Sequence, residues 1–251
     1  MRFGAEVTDR LVDPVLGSLH AGDVGRLSLR AATPMLAAKA ARNRSLLLGS
    51  ARNRHAAPSF VTLPGGLSSL VDRVLPGSEV DVHLGTRVEA LEQAGNGYGL
   101  STGSHGLDGF DAVVVALPAV PAVKLLQPLL GSDVEPLNTL RTASVATVVV
   151  AWDAAQAASC KALRATGILT PSKAGTLMKA ATFLSTKWPQ LRDPDRYLFR
   201  LSAGRVGEDR LGSLSDDELV ARMTDELQQA TGLAGSPMHA EVYRWPDALP
   251  Q

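Results

Sequence analysis

Residues 58–118 constrain the fold more than any other stretch of this chain. The Gly65-Gly66 pair marks a sharp turn, because glycine adopts backbone angles closed to other residues. Leu67, Leu70, Val71 and Val74 then recur at helical spacing. Strand-like runs follow at Glu79–Leu84, Thr86–Gln93 and Gly97–Thr102, the last two separated by Gly95-Asn96-Gly97, a hairpin signal. Gly103–Gly109 is a turn cluster. Ala112–Leu117 is a short continuous apolar run, the pattern of a strand buried on both faces. Helix, strand pair and central strand in this order predict part of an α/β nucleotide-binding domain. That is an architecture without a chemistry.

The flanking regions read differently. Residues 5–20 are helical in pattern, with Val7, Leu11, Val12, Val15 and Leu19 on one side, and Pro14 should kink or end the helix. Residues 30–42 form a second, alanine-rich helix interrupted near Pro34, and a basic loop at Arg52–His55 marks a crossover. A helix is expected to begin at Pro118, carrying Val120, Val123, Leu125 and Leu126. Beyond Gly131 the pattern becomes an antiparallel sheet, with strands at Ser144–Trp152, Thr166–Leu169, Thr176–Leu184 and Tyr197–Leu201. Ser215-Asp216-Asp217-Glu218 is a capping box opening a helix with Leu219, Val220, Met223 and Leu227 on its apolar face; Gly232 ends it. His239–Trp245 is a last strand. The fold class is therefore α/β in the wide sense, an α+β chain of two domains.

Charge excludes some functions. Twenty-five basic and twenty-five acidic residues leave a formal charge of zero, which argues against general nucleic-acid binding. The charge is uneven. No acid lies between Asp23 and Asp72, where Arg26, Arg30, Lys39, Arg42, Arg44, Arg52 and Arg54 fall. Such a run is a solvated helix face or a surface for anionic headgroups or carboxylates. The single cysteine, Cys160, rules out an internal disulfide and any multi-cysteine metal site. The N-terminus lacks an apolar signal core and no apolar run is long enough to span a bilayer, so a soluble or surface-attached protein is expected.

Chemical motifs are sparse. Gly97-Tyr98-Gly99-Leu100-Ser101-Thr102-Gly103 has one residue too many for the dinucleotide fingerprint and sits in a hairpin. There is no phosphate loop and no nucleophile elbow. The histidines His20, His55, His83, His105 and His239 have no metal-like spacing, so no metal is expected. Cys160 has no activating partner nearby in sequence. Trp188 and Trp245, in Ser185-Thr186-Lys187-Trp188-Pro189 and Arg244-Trp245-Pro246, are either aromatic anchors at strand ends or flat walls beside a planar ligand.

A family resemblance adds what these patterns lack. The run from Phe3 to Asp23 and on through Leu27–Ala32 resembles the protoporphyrinogen/coproporphyrinogen III oxidases, FAD-dependent enzymes of haem synthesis within the flavin amine-oxidase superfamily. Thr62-Leu63-Pro64-Gly65-Gly66-Leu67, Val113–Ala119, Ser185–Pro189 and Arg244–Gln251 also match, in family order, and the last looks like the bacterial branch. The resemblance implies four segments. Residues 1–57 would be the end of a helical, membrane-associating domain and its return. Residues 58–118 would be a partial FAD-binding domain, 119–236 the substrate domain, and 237–251 a return into the FAD-binding domain.

By the same resemblance, Val88 meets the adenine end of FAD through its backbone and Trp245 lies near the flavin. Leu117 and Pro118 pass its phosphate side. Leu169 packs on the tetrapyrrole, from the segment that begins at Gly167. The implied reaction oxidises coproporphyrinogen III or protoporphyrinogen IX to the porphyrin with molecular oxygen as acceptor, the cofactor carrying the chemistry. No side chain is assigned as a catalytic acid or base. The implied location is the cytoplasm, with peripheral contact to the inner face of the membrane, and a homodimer or a complementing chain as partner.

The family's Gly-x-Gly-x-x-Gly and its C-terminal flavin-closing segment are absent from the sequence, so the isolated chain is expected to bind FAD poorly. Other readings are a carotenoid desaturase, an amine oxidase, or a non-catalytic porphyrin-binding remnant or helper subunit.

Overall fold

The computed structural model describes residues 4–43, 45, 61–103 and 105–251. The chain runs through helix α1 (4–20), helix α2 (Pro34–Arg42) and helix α3 (Ser68–Val74). Strands β1 (Ala90–Ala94), β2 (Gly97–Ser101) and β3 (Gly106–Phe110) follow, then helix α4 (Ala119–Leu130) and strand β4 (Thr142–Asp153). Strands β5 (Gly167–Leu169), β6 (Met178–Phe183) and β7 (Arg196–Ala203), helix α5 (Asp216–Thr231) and strand β8 (His239–Pro250) complete it. Contacts divide it into two compact units, Met1–Ala32 with Val115–Gln251, and Thr33–Val114. The fold mixes helices with sheets whose strand pairs are all antiparallel.

The larger unit is built on a five-stranded sheet of order β5-β6-β7-β4-β8. Side chains alternate across a strand, so each strand has two faces. On one face Val148, Val150 and Trp152 of β4 meet Phe199 and Leu201 of β7 and Phe183 of β6, all fully buried. Phe199 packs edge-on against Phe183, with centroids 5.6 Å apart, and against Trp152 at 6.1 Å. The Trp152 indole N–H donates to the Ala234 carbonyl at 2.8 Å, which satisfies its one buried polar atom.

Helix α5 belongs to the same core, in which Leu219, Met223 and Leu227 are fully buried. Burial of each such side chain contributes about 1.5–3 kcal/mol. Its start is the expected capping box: the Glu218 amide donates to the Ser215 hydroxyl, and the Ser215 amide donates to the Glu218 carboxylate. Gly232, in the left-handed region, ends it. His239–Pro250 runs along β4 as the outer strand β8.

Helix α1 runs from residue 4 to residue 20 without a break. Pro14 does not end it: Thr8–Gly17 winds in wider π turns around a residue that lacks an amide hydrogen. Its apolar stripe is also not the packed side: Leu11 is 61% and Leu19 70% exposed, while Asp13, Pro14, Gly17 and Ser18 are buried. Polar bonds decide the orientation. The Asp13 carboxylate accepts from the Ser172 amide at 2.7 Å, and the Ser18 hydroxyl donates to the Lys179 carbonyl at 3.1 Å. A buried carboxylate with a backbone donor outweighs leucines that can stay at the surface.

In the unit Thr33–Val114, β1, β2 and β3 form an antiparallel meander. The first hairpin falls where Gly95-Asn96-Gly97 predicts it. The expected turn cluster at Gly103–Gly109 instead contains most of β3. Two other expectations fail. Glu79–Leu84 and Ala112–Leu117 form no strand, and no strand among the described residues pairs with either; Val114 is 91% exposed. The apolar face of α3 is likewise exposed, at Leu70, Val71 and Val74. A continuous apolar run becomes a buried strand only when flanked by neighbours and covered on both faces. The basic loop at Arg52–His55 and the start of the 58–118 stretch lie outside the described residues.

Candidate functional site

The candidate site is the other face of the five-stranded sheet, turned away from the buried core. Register places its residues in rows. Gly167 stands opposite Thr182, Thr182 opposite Arg200, Arg200 opposite Val149, and Val149 opposite Glu241. The next row runs Leu169, Ala180, Ser202, Thr147 and Tyr243. Each row crosses all five strands, so its ends lie about 19 Å apart at the usual strand spacing.

The middle of the second row consists of small side chains, Ala180, Ser202 and Thr147. Its ends are large: Leu169 on β5, 47% exposed, and Tyr243 on β8. Two residues past Tyr243, Trp245 is 45% exposed on the same face, its ring stacked on that of Tyr243 with centroids 6.2 Å apart and planes 21° from parallel. The result is a shallow trough with a low floor and tall apolar or aromatic edges. A flat apolar ring system fits such a shape better than a peptide or a polar metabolite does, because ring faces need area and stacking rather than hydrogen bonds.

The charges on this face are placed unevenly. Arg200 stands on the interior strand β7 and donates to the Thr182 hydroxyl at 3.5 Å. On the edge strand β8, Glu241 accepts from the Tyr243 hydroxyl and meets His239 Nε2 at 3.3 Å. The Tyr243 bond, reinforced by His239, holds the Glu241 carboxyl below the usual carboxylate range, and the same bond raises the Tyr243 phenol.

A bulge between Met178 and Ala180 interrupts the floor strand β6. The extra residue, Lys179, is buried and donates through Nζ to the Gly204 carbonyl at 2.9 Å. Burial, with the Arg205 guanidinium nearby, lowers its pKa to about 8, against a smaller opposing effect of Glu208.

The residues expected from the sequence are distributed as follows. Leu169, Gly167 and Trp245 share the trough face. Gly167 has a backbone role there, since a Cβ at that position would sit 2.5 Å from the Ala181 carbonyl oxygen; close approach of β5 to β6 requires glycine. Pro118 caps α4, its carbonyl accepting from the Ala122 amide, with the exposed Leu117 just before it; neither is on the sheet. Val88 belongs to the other unit, directly before the outer strand β1. Trp188 lies past the end of β6, half-buried, with Lys187 Nζ 5.4 Å from its ring centroid, as a strand-end anchor would. Sequence reasoning did not single out Arg200, Ala180, Ser202, Thr147 or Tyr243. Their alternation was visible, but their alignment in rows follows only from register. Among the described residues no group of histidine, cysteine or carboxylates is arranged to hold a metal ion.

This mixed fold, helices with antiparallel sheets, is that of a flavoenzyme of the amine oxidase class. The chain belongs to the flavin containing amine oxidoreductase family, whose model matches residues 1–251. It is 32% identical over 254 residues to a coproporphyrinogen III oxidase of Mycobacterium bovis and 26% identical over 261 residues to that of Bacillus subtilis. Both alignments take in the whole of this chain, against 54% and 55% of the relatives. The chain thus spans about half the length of the curated relatives it matches. A crystal structure of a candidate protoporphyrinogen oxidase from Exiguobacterium sp. 255-15 superposes with a TM-score of 0.82 at 26% identity, covering 99% of this chain and 53% of that one.

The family is flavin-containing, and FAD is the cofactor it implies. The described residues fit that group in part. β1 has no strand on its far side among the described residues, which leaves room for a ligand bound through the backbone near Val88. No pyrophosphate cradle accompanies it among the described residues. α3 is only seven residues long, and the Gly66 amide before it is already donated to the Leu63 carbonyl. The Gly66 amide thus closes a turn and is not free for a phosphate.

Proposed function

We propose that the open face of the five-stranded sheet is the ring-binding wall of a porphyrinogen oxidase. A flat tetrapyrrole lies across Ala180, Ser202 and Thr147, between Leu169 at one edge and Tyr243 with Trp245 at the other. The observation that carries this reading is the row Leu169, Ala180, Ser202, Thr147, Tyr243: two bulky ends and a floor of small side chains in one register line. The names of the relatives support the substrate class, and coproporphyrinogen III is the first choice on those names.

In this reading the whole protein oxidises the porphyrinogen to the porphyrin. FAD, when bound, would supply the hydride-accepting chemistry, with molecular oxygen as the terminal acceptor. The residues of this chain orient the ring and keep water from one of its faces. Trp245 lies toward the flavin, Val88 meets the adenine end through its backbone, and Leu117 and Pro118 pass the phosphates. The segments 1–57, 58–118, 119–236 and 237–251 serve as the helical end, the flavin part, the substrate domain and its return. Peripheral membrane contact through the basic run after Asp23 belongs to the same proposal, as do a cytoplasmic location and a second or complementing chain. Among the described residues no helix is long and apolar enough to cross a membrane.

The test is to titrate the purified chain with coproporphyrin III and separately with FAD. Saturable porphyrin binding with weak flavin binding is expected, because the described residues supply the wall and no pyrophosphate cradle. Tight FAD binding with no porphyrin binding would refute the assignment of the sheet as the ring site.

A further inference from the structure

We infer that Arg200 is the anchor for a carboxylate of the ring ligand, and that it sets which way round the ring lies. The inference rests on the ring-site reading above and adds a residue to it. Three observations carry it.

First, Arg200 has no carboxylate partner among the described residues, whereas three arginines on or near the same strands do. Arg196 is 2.9 Å from Asp193, Arg210 3.1 Å from Glu208, and Arg244 2.8 Å from Asp216. Second, β7 has a strand on each side, so Arg200 is an interior position of the sheet, beside Thr182 and Val149. Its guanidinium is exposed there, with a long 3.5 Å bond to Thr182, and its planar fork matches a carboxylate. Third, it stands one row from the floor of the trough, within side-chain reach of any group projecting from a ring laid over Ser202 and Ala180.

The opposite edge discriminates against the reverse orientation. Glu241 lies in the same row as Arg200, two strand spacings or about 10 Å away. Its carboxyl is held ionised by Tyr243 and His239. A ligand carboxylate is drawn to the β7 side and repelled from the β8 side.

The experiment compares two probes on the purified full chain: coproporphyrin III, which carries carboxylates, and its methyl ester, which has the same ring and no charge. Binding is read by porphyrin fluorescence. Wild type should bind the acid about tenfold more tightly than the ester, equivalent to about 1.4 kcal/mol. Arg200→Gln should lose that preference through weaker acid binding, with ester affinity unchanged. Arg200→Lys should keep part of it. Arg200 is exposed, so the variants are expected to fold, and the unchanged ester affinity reports on that directly. Equal wild-type affinity for acid and ester would overturn the Arg200 role and leave the ring site standing, as would an Arg200→Gln variant that still prefers the acid. Wild type binding neither probe would remove the ring site, and the Arg200 role with it.

Discussion

Arg200 and Glu241 stand opposite the same residue, Val149, from its two sides. Arg200 is on the interior strand β7 and Glu241 on the edge strand β8, and the strand register turns all three to the same side of the sheet. A cation and an anion thus bracket a neutral centre on a surface whose other side is a closed aromatic core. The core needs only one face of the sheet. The other face keeps small side chains where larger apolar ones would add contacts, which is the arrangement expected if something else covers it.

The floor is the first place to perturb. Ser202→Leu or Ala180→Leu raises a side chain in the middle of the trough without entering the core. Either change is expected to weaken coproporphyrin III binding at least about tenfold, while the thermal midpoint stays within the range of a surface substitution, about 0.5 kcal/mol. Fluorescence titration beside a melting curve measures both. Unaltered binding in both variants would place the ring elsewhere.

Gly167 and Gly204 are predicted to matter for stability rather than for ligand contact. A Cβ at Gly167 would lie 2.5 Å from the Ala181 carbonyl oxygen. One at Gly204 would meet the Ser144 carbonyl oxygen, on a backbone with φ of +94°. Gly167→Ala is expected to cost about 1–3 kcal/mol, as overpacking does. Gly204→Ala should cost more, because crowding and an unfavourable backbone angle coincide. Urea midpoints give the order. A Gly167→Ala variant as stable as wild type would instead support a direct ligand role for that position.

Lys179 links stability to alkaline pH. Its folded pKa, about 8, is below the ordinary lysine value of 10.5, so between those values the unfolded chain holds the extra proton. Stability therefore rises with pH across that window, and below it the buried charge carries its full penalty. The facing charges are Arg205, which strengthens the effect, and Glu208, which opposes it. Urea unfolding of wild type and Lys179→Met across about pH 7.5 to 10.5 should show the rise in wild type and its loss in the variant. Parallel curves would mean that the lysine is solvated.

Much of the larger unit is legible in the amino-acid sequence. Strands β4, β6 and β7 and helix α5 follow from local rules, namely runs of β-branched residues, a capping box and a terminal glycine. What stayed hidden depends on partners distant in sequence. The side that α1 buries is decided by Asp13 meeting Ser172 and Ser18 meeting Lys179, over 150 residues away, not by its leucines. The run Ala112–Leu117 is patterned for flanking strands that the described residues do not supply, so its periodicity predicted a strand that does not form. The trough could not be read at all without register. Leu169 and Trp245 were identified by resemblance, yet Arg200, Ser202 and Thr147 acquire meaning only once β5 through β8 are aligned.

The most direct test of the ring site is amide hydrogen exchange on the full chain with and without saturating coproporphyrin III. The trough predicts slower exchange along the two rows of this face: 167–169 in β5, 180–182 in β6, 200–202 in β7, 147–149 in β4 and 241–245 in β8. Helix α5, on the opposite face, should be unchanged. Protection that falls on α5 or within Thr33–Val114, with the edges β5 and β8 unaffected, would contradict it.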